Sequence, residues 1–319
     1  MSLEYMNAIA VDQNDPDRLA VRKVKLVPAA AGDVTVRVTS ISLNRGEVKR
    51  ALTVTDGGTV PGWDFAGVVT NTVIGPEAPK VGDRVVGMVP SGSWAQFVHA
   101  PVTSVATIPD GVTDEQGASL PVAGLTALHA LRKAGLVLGK KVLVDGASGG
   151  VGQFAIQLAA ASGARVYSHI RREAQRSLVQ SASTGGVIVG NTLEAARASG
   201  PYDLIVDSVG GSALAAALTM LRRNGACVTV GSTEGDTVTF NSAAFFRASG
   251  TSLLSLILGE EITKGETAGD GLALLLRLVR DGVLKPNIAI EAPWTEISSV
   301  ARQLIDRGFA GKAVLRVSS

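Results

Sequence analysis

Cysteine and histidine are nearly absent from this chain of 319 residues: Cys227 stands alone, and His99, His129 and His169 are its three histidines. One cysteine excludes a disulfide within the chain and a four-cysteine zinc lobe. The histidines fall in separate segments, without the i, i+4 spacing that puts two ligands on one helix face, so no metal is expected. Charge is thin as well, at 18% against roughly 25% in an average soluble protein. Thirty basic residues face 28 acidic ones, a net charge of +2, far from the basic stripe that a nucleic-acid backbone requires. Apolar runs are short: Leu272–Leu276 stops at Arg277, well under the ~18 residues of a membrane span. The opening Met1-Ser2-Leu3-Glu4-Tyr5-Met6 lacks a basic segment followed by an apolar one, so no secretory signal is expected and the reading is a soluble, cytoplasmic protein.

What is present is apolar residues, 46% of the chain, which excludes intrinsic disorder. A chain of this length suggests two domains. The 37 glycines exceed the usual ~7% without a collagen-like period, so they serve turns and close backbone approaches. Residues 1 to about 120 carry short alternating runs punctuated by Gly, Pro and Asp, such as Val34–Thr39, Arg84–Met88 and Trp94–Val98, the pattern of an antiparallel, barrel-like β domain. From 121 to 265 the texture changes. Continuous apolar strands, Val142–Val144, Arg165–Ser168, Leu204–Val206 and Ala226–Val230, alternate with helical patterns at Phe154–Ala161 and Ala213–Leu221, as in a doubly wound parallel sheet. The last 50 or so residues read as two amphipathic helices, Leu272–Val279 and Ile297–Ile305, and two strands, Asn287–Ile290 and Ala313–Val317.

The most informative segment is Val142-Leu143-Val144-Asp145-Gly146-Ala147-Ser148-Gly149-Gly150-Val151-Gly152. A strand enters a glycine-rich turn that opens a helix, the setting in which a dinucleotide pyrophosphate sits on free backbone amides at the positive helix end. Ser148, Gly149, Gly150 and Val151 would meet the pyrophosphate, and Gly152 would let helix and strand pack closely. Ala147 stands where the strict G-x-G-x-x-G has its first glycine, and a purely structural turn is the other reading. About 20 residues on, an Asp or Glu would hold a ribose 2′-hydroxyl. Here the chain reads Ser168-His169-Ile170-Arg171-Arg172 with no acid before Glu173. Arg171 and Arg172 suit a 2′-phosphate, and Ser168 could donate to it, so NADPH is the expected cofactor. Two solvated arginines are the plain alternative. Ser208-Val209-Gly210 and Gly231-Ser232 follow buried strands and therefore fall where ligands bind such sheets.

Seven segments in one order carry a resemblance: Ser42-Leu43-Asn44-Arg45-Gly46-Glu47, Gly62-Trp63-Asp64 through Val69, Val81-Gly82-Asp83-Arg84-Val85, Leu120-Pro121 through Thr126-Ala127, the glycine turn, Asp207 through Gly211, and Gly311-Lys312-Ala313-Val314-Leu315. The chain resembles the medium-chain dehydrogenase/reductase superfamily and, within it, the zinc-independent quinone oxidoreductases. The resemblance implies an α/β protein with a GroES-like β-barrel catalytic domain, residues 1–120 and 266–319, and a Rossmann domain, 121–265, with the active site in the cleft. It also implies dimers joined at Rossmann sheet edges, for which Thr237-Val238-Thr239-Phe240 is the expected edge strand.

Departures from the superfamily's zinc enzymes are equally informative. Asn44 stands at their first ligand, a cysteine, and Trp63 at their ligand histidine, so the Lewis acid that polarises an alcohol oxygen is not expected. Lys49 stands where several zinc-independent relatives have a tyrosine. By the resemblance, Asn44 faces the nicotinamide end, Thr126 and Phe245-Phe246 lie near the nicotinamide, and Lys312 reaches the cofactor phosphate. Asn44 as a turn cap, Thr126 as a helix-interior hydroxyl, the two phenylalanines as core and Lys312 as a solvated residue are the alternatives. Trp63 offers a flat acceptor a stacking face, Lys49 or a water would polarise or protonate it, and Asp64 would pair with Arg45 or Lys49. The histidines show no partner pattern. The expected function is an NADPH-dependent reductase passing hydride to a quinone or α,β-unsaturated carbonyl. A stand-alone enoyl reductase of thioesters or polyketide-like intermediates and a catalytically silent NADPH-binding scaffold are its rivals.

Overall fold

The computed structural model describes residues 4–15, 17–75 and 78–318. From the amino end come β1 (Tyr5–Val11), β2 (Leu19–Lys25), β3 (Asp33–Leu43), α1 (Arg45–Thr53), β4 (Asp64–Asn71), β5 (Arg84–Met88), β6 (Phe97–Pro101), β7 (Val105–Thr107), α2 (Asp114–Ala118) and α3 (Pro121–Lys133). The middle supplies β8 (Lys141–Asp145), α4 (Gly150–Ala161), β9 (Arg165–Ile170), α5 (Arg176–Val179), β10 (Gly186–Val189), β11 (Tyr202–Asp207), α6 (Gly211–Leu218), β12 (Leu221–Thr229), α7 (Ser242–Arg247), β13 (Ser252–Ser255) and α8 (Leu258–Glu261). Then follow α9 (Ala268–Arg280), β14 (Ile288–Pro293), α10 (Ile297–Ile305) and β15 (Lys312–Arg316). The chain divides into two compact units, one made of the residues up to Leu125 with those from Ile262 onward, the other of Thr126–Glu261.

In the first unit the hairpin β1–β2 accompanies a seven-stranded sheet ordered β14-β15-β3-β4-β5-β7, with β6 also pairing on β3. β3 is its hub because Val34, Val36 and Val38 alternate inward and Ile41 and Leu43 continue the buried face. Two tryptophans that contact nothing outside, Trp94 and Trp294, join Phe65, Ile9 and Leu315 in one core cluster. The registers matter for the site. Ser42 pairs with Asp64 across β3–β4, and Leu43 with Ala313 across β3–β15, so the end of β3 and the starts of β4 and β15 converge.

The second unit is a six-stranded sheet ordered β10-β9-β8-β11-β12-β13, every neighbouring pair parallel. Val142, Leu143 and Val144 of β8 are wholly buried, as a strand covered on both faces must be. The strand order reverses at β8, which has β9 on one side and β11 on the other, and the crevice at such a reversal is where α/β sheets bind ligands.

Several boundaries differ from the sequence reading. Thr237–Phe240 is not a strand. After β12 the chain leaves the sheet through Gly231 and through Gly235, at φ 144°, and Phe240 packs edge to face on Phe245; β13 takes the sheet edge instead. The helix expected to reach Leu221 ends at Leu218, and β12 begins at Leu221. β12 meets β11 in two stretches, because Tyr202 pairs with Leu221 but Leu204 with Ala226. The intervening bulge holds Asn224 at φ 59°.

Candidate active site

Within the second unit, the glycine turn has the geometry of a cradle. Gly146 sits at φ 73°, and a Cβ there would lie 2.5 Å from the Ser208 hydroxyl. A Cβ at Gly152 would lie 2.3 Å from the Gly146 carbonyl oxygen and 2.7 Å from the Ala147 Cα, so α4 can approach the turn only because that residue is glycine. Gly149 is the N-cap of α4. The amides of Gly150, Val151 and Gly152 open the helix, where first-turn N–H groups have no intrahelical acceptor and the dipole end is positive. Ser148 is buried against the turn. These features fit a dinucleotide pyrophosphate.

Neighbouring strand ends complete this edge. Ser208 donates its hydroxyl to the Asp145 carbonyl at 2.9 Å, tying the end of β11 to that of β8. The buried Asp207 carboxylate accepts from the amides of Val209 and Gly210, each at 3.1 Å, and from the Thr229 hydroxyl at 3.1 Å. Burial raises its pKa, and those donors oppose the rise. Gly231 closes on the Ser208 carbonyl, and Ser232 donates to Asp236 at 2.8 Å. Arg171 and Arg172 are exposed where β9 ends, with Arg171 3.6 Å from Glu234 of the loop after β12. Thr126 lies on α3, and Val209 and Phe245 pack on the unit's core cluster while Phe246 is exposed on α7.

Ser168 does not fit the role expected of it. Its side chain is fully buried and its hydroxyl is hydrogen bonded to that of Ser183 at 2.6 Å, so it faces the interior rather than a 2′-phosphate. The sequence shows no partner pattern for the histidines, and the structure supplies partners for two of them. His169, buried on β9, has Nδ1 2.7 Å from Asp145 Oδ1 and Nε2 3.1 Å from the Gly190 carbonyl, while His99 sits between the Thr35 hydroxyl and the Val27 carbonyl.

The first unit gathers a buried polar network at the convergence of β3, β4 and β15. Asn44 Nδ2 donates to Asp64 Oδ2 at 2.8 Å and to Glu47 Oε1 at 3.0 Å, and the Asn44 amide donates to the same Glu47 oxygen at 2.8 Å. Lys312 Nζ donates to Asn44 Oδ1 at 2.6 Å and to the Leu43 carbonyl at 3.0 Å, and lies 3.7 Å from Asp64 Oδ2. Glu47 Oε2 receives the Trp63 amide at 2.7 Å, and Asp64 Oδ1 that of Val122 at 3.1 Å. Burial and the nearby Asp64 charge push Glu47 up to about 8, against the opposing pull of Lys312. Burial also raises Asp64 and lowers Lys312, each opposed by the other's charge.

This network changes three assignments. Lys312 is buried with its ammonium committed to the network, so it cannot reach a cofactor phosphate. Asn44 has both amide hydrogens and its carbonyl oxygen engaged inside the fold, which leaves no hydrogen for a substrate. Asp64 pairs with Asn44 and Lys312 rather than with Arg45 or Lys49; Arg45 donates to the carbonyls of Leu304 and Ile305. Lys49 is exposed on α1. Trp63 is half-buried, and its ring lies 3.2 Å from where a Cβ on Gly46 would be. Zinc does not fit here: the amide oxygen of Asn44 already holds an ammonium, and Trp63 has no ligand atom. Glu47 was missed in the sequence, although its spacing three residues after Asn44 is that of a capping box.

Two family models match the chain: the alcohol dehydrogenase GroES-like domain over residues 30–110 and the zinc-binding dehydrogenase over 150–272. Among curated proteins it is similar to a mycocerosic acid synthase-like polyketide synthase of Mycobacterium tuberculosis, 32% identical over a match of 303 residues, with 91% of this chain covered. The chain spans 14% of the length of that synthase. Among solved structures, a mycobacterial protein complexed with NADPH superposes with a TM-score of 0.83 at 25% identity, covering 98% of this chain and 99% of that one. The CurK enoyl reductase superposes with a TM-score of 0.84 at 22% identity, covering 99% and 100%, a likeness of fold.

Proposed function

This chain is a member of the medium-chain dehydrogenase/reductase superfamily, and from that premise we propose that it is a zinc-independent, NADPH-dependent reductase of α,β-unsaturated carbonyl compounds, with an enoyl thioester as substrate. The observation that carries this reading is the saturated Asn44–Glu47–Asp64–Lys312 network, built on Asn44, the residue that the resemblance sets at a ligand position of the zinc enzymes. Without a Lewis acid an isolated carbonyl lacks activation, whereas a conjugated acceptor spreads the incoming charge from its β-carbon onto the carbonyl oxygen. NADPH, when bound, supplies the hydride. The first-turn amides of α4 hold its pyrophosphate, and Arg171 and Arg172 select its 2′-phosphate. The Trp63 ring offers a planar acceptor an apolar face. The likeness to a polyketide synthase supports a thioester as substrate, and a quinone meets the same electronic requirement.

The test is loss of NADPH absorbance with a crotonyl thioester, 1,4-benzoquinone and a saturated aldehyde. The thioester should be reduced at its double bond, one hydride from NADPH and one proton from solvent adding across it, and the aldehyde should be inert. Turnover of the quinone alone would replace the substrate assignment, and turnover of none of them would refute the reductase reading.

A further inference from the structure

Two buried carboxylates end the strands beneath the glycine turn, Asp145 on β8 and Asp207 on β11. An anion there opposes a pyrophosphate bound at the same turn, so its compensation matters for the cofactor. Asp207 is compensated by two backbone amides and a hydroxyl. Asp145 has a different arrangement: Oδ1 meets His169, and Oδ2 is buried with no hydrogen-bond partner.

His169 has one ring nitrogen against that carboxylate and the other against the Gly190 carbonyl, both of them acceptors. A neutral imidazole carries one N–H, so hydrogen bonds at both ring nitrogens take one more proton, shared between His169 and Asp145. Whether that proton rests on Nδ1 or on the carboxyl, the pair has zero net charge. The backbone of the same residue adds a second link, because the His169 carbonyl accepts from the amide of Ala147 inside the glycine turn at 3.1 Å. Gly190 is also packed tightly, since a Cβ on it would lie 2.6 Å from the Ala195 Cβ, so its carbonyl is fixed opposite the ring.

We propose that His169 is a positioning residue for dinucleotide binding: by sharing one proton with Asp145 it cancels the carboxylate charge behind the glycine turn, while its backbone carbonyl fixes Ala147 within that turn. The proposal rests on the cofactor reading above.

The experiment is NADPH titration of the full chain, followed by nicotinamide fluorescence, for the wild type, His169→Gln, Asp145→Asn and the double variant. His169→Gln should weaken binding at least tenfold and raise the NADPH KM without lowering kcat at saturation. Asp145→Asn should bind within threefold of the wild type, because an amide can donate to Nδ1 and no charge is left. The double variant should recover that affinity, which a merely structural role for His169 would not produce. Equal binding by the wild type and His169→Gln, or a double variant as weak as His169→Gln, would overturn the proposal. Should His169→Gln fail to fold, Asp145→Asn still decides: a tenfold loss there overturns it. A wild type that binds neither NADPH nor NADH instead refutes the cofactor reading.

Discussion

Replacing Glu47 with glutamine should remove a loss of stability that this protein suffers as pH rises. Burial, aided by the Asp64 charge, holds the Glu47 carboxyl at about 8, against 4.5 in an exposed chain. Between those values the folded state keeps a proton that the unfolded state releases, so stability is full below about pH 4.5 and is lost as pH rises toward about 8. One such proton changes stability by about 1.4 kcal/mol per pH unit, which accumulates to about 5 kcal/mol across the window. For a unit of this size that corresponds to some 10–20 °C in Tm. Glutamine removes the titration but sets an NH2 or leaves a lost acceptor against one of three donors, the amides of Asn44 and Trp63 and the Asn44 side chain. An unsatisfied buried donor costs about 1–3 kcal/mol. Glu47→Gln should therefore melt below the wild type at pH 4.5 and above it at pH 8.5, the curves crossing between about pH 5 and 7. Asp64 and Lys312 remain in both proteins, and the difference between the two curves reports Glu47 together with its electrostatic coupling to them. Scanning calorimetry from pH 4.5 to 8.5 provides the measurement, and curves that run parallel would refute the reasoning.

Three further outcomes are expected. Gly152→Val places its side chain against the Gly146 carbonyl and the Ala147 backbone, and should cost NADPH binding at least tenfold in a fluorescence titration. Arg171→Ala should raise the NADPH KM about tenfold, the equivalent of about 1.4 kcal/mol and of one lost charge-assisted contact, with little effect on NADH; equal effects on both cofactors would remove the basis for NADPH preference. The edge strand β13 carries the exposed Leu253 and leads to the exposed Ile257, so it is expected to pair with a second copy. Sedimentation should show a dimer that Leu253→Lys converts to monomer, and a wild-type monomer at micromolar concentration would dispose of the idea.

The local order of the chain was legible because it is written in periodicity and punctuation. Alternation along Val34–Thr39 and continuous burial along Val142–Val144 follow from how many faces of a strand are covered, and α10 spans the predicted Ile297–Ile305. The glycine turn was legible for the same reason: its constraints lie between residues a few positions apart. The edge strand expected at Thr237–Phe240 was misplaced because its apolar, β-branched residues resemble a strand, while the turn through Gly235 and the Phe240–Phe245 contact carry them off the sheet.

What the sequence determined by itself is therefore the two kinds of domain and the strand–turn–helix cradle. Only the tertiary structure decided what Asn44, Asp64, Lys312, Ser168 and His169 do. Lys312 is 268 positions from the oxygen it holds on Asn44, and His169 lies 24 positions from Asp145. No local pattern reports partners brought together by antiparallel register at β3–β15 or by parallel pairing of β8 and β9. Burial then fixes their chemistry, since a carboxylate, an ammonium or an imidazole removed from water must find its counterpart within the fold.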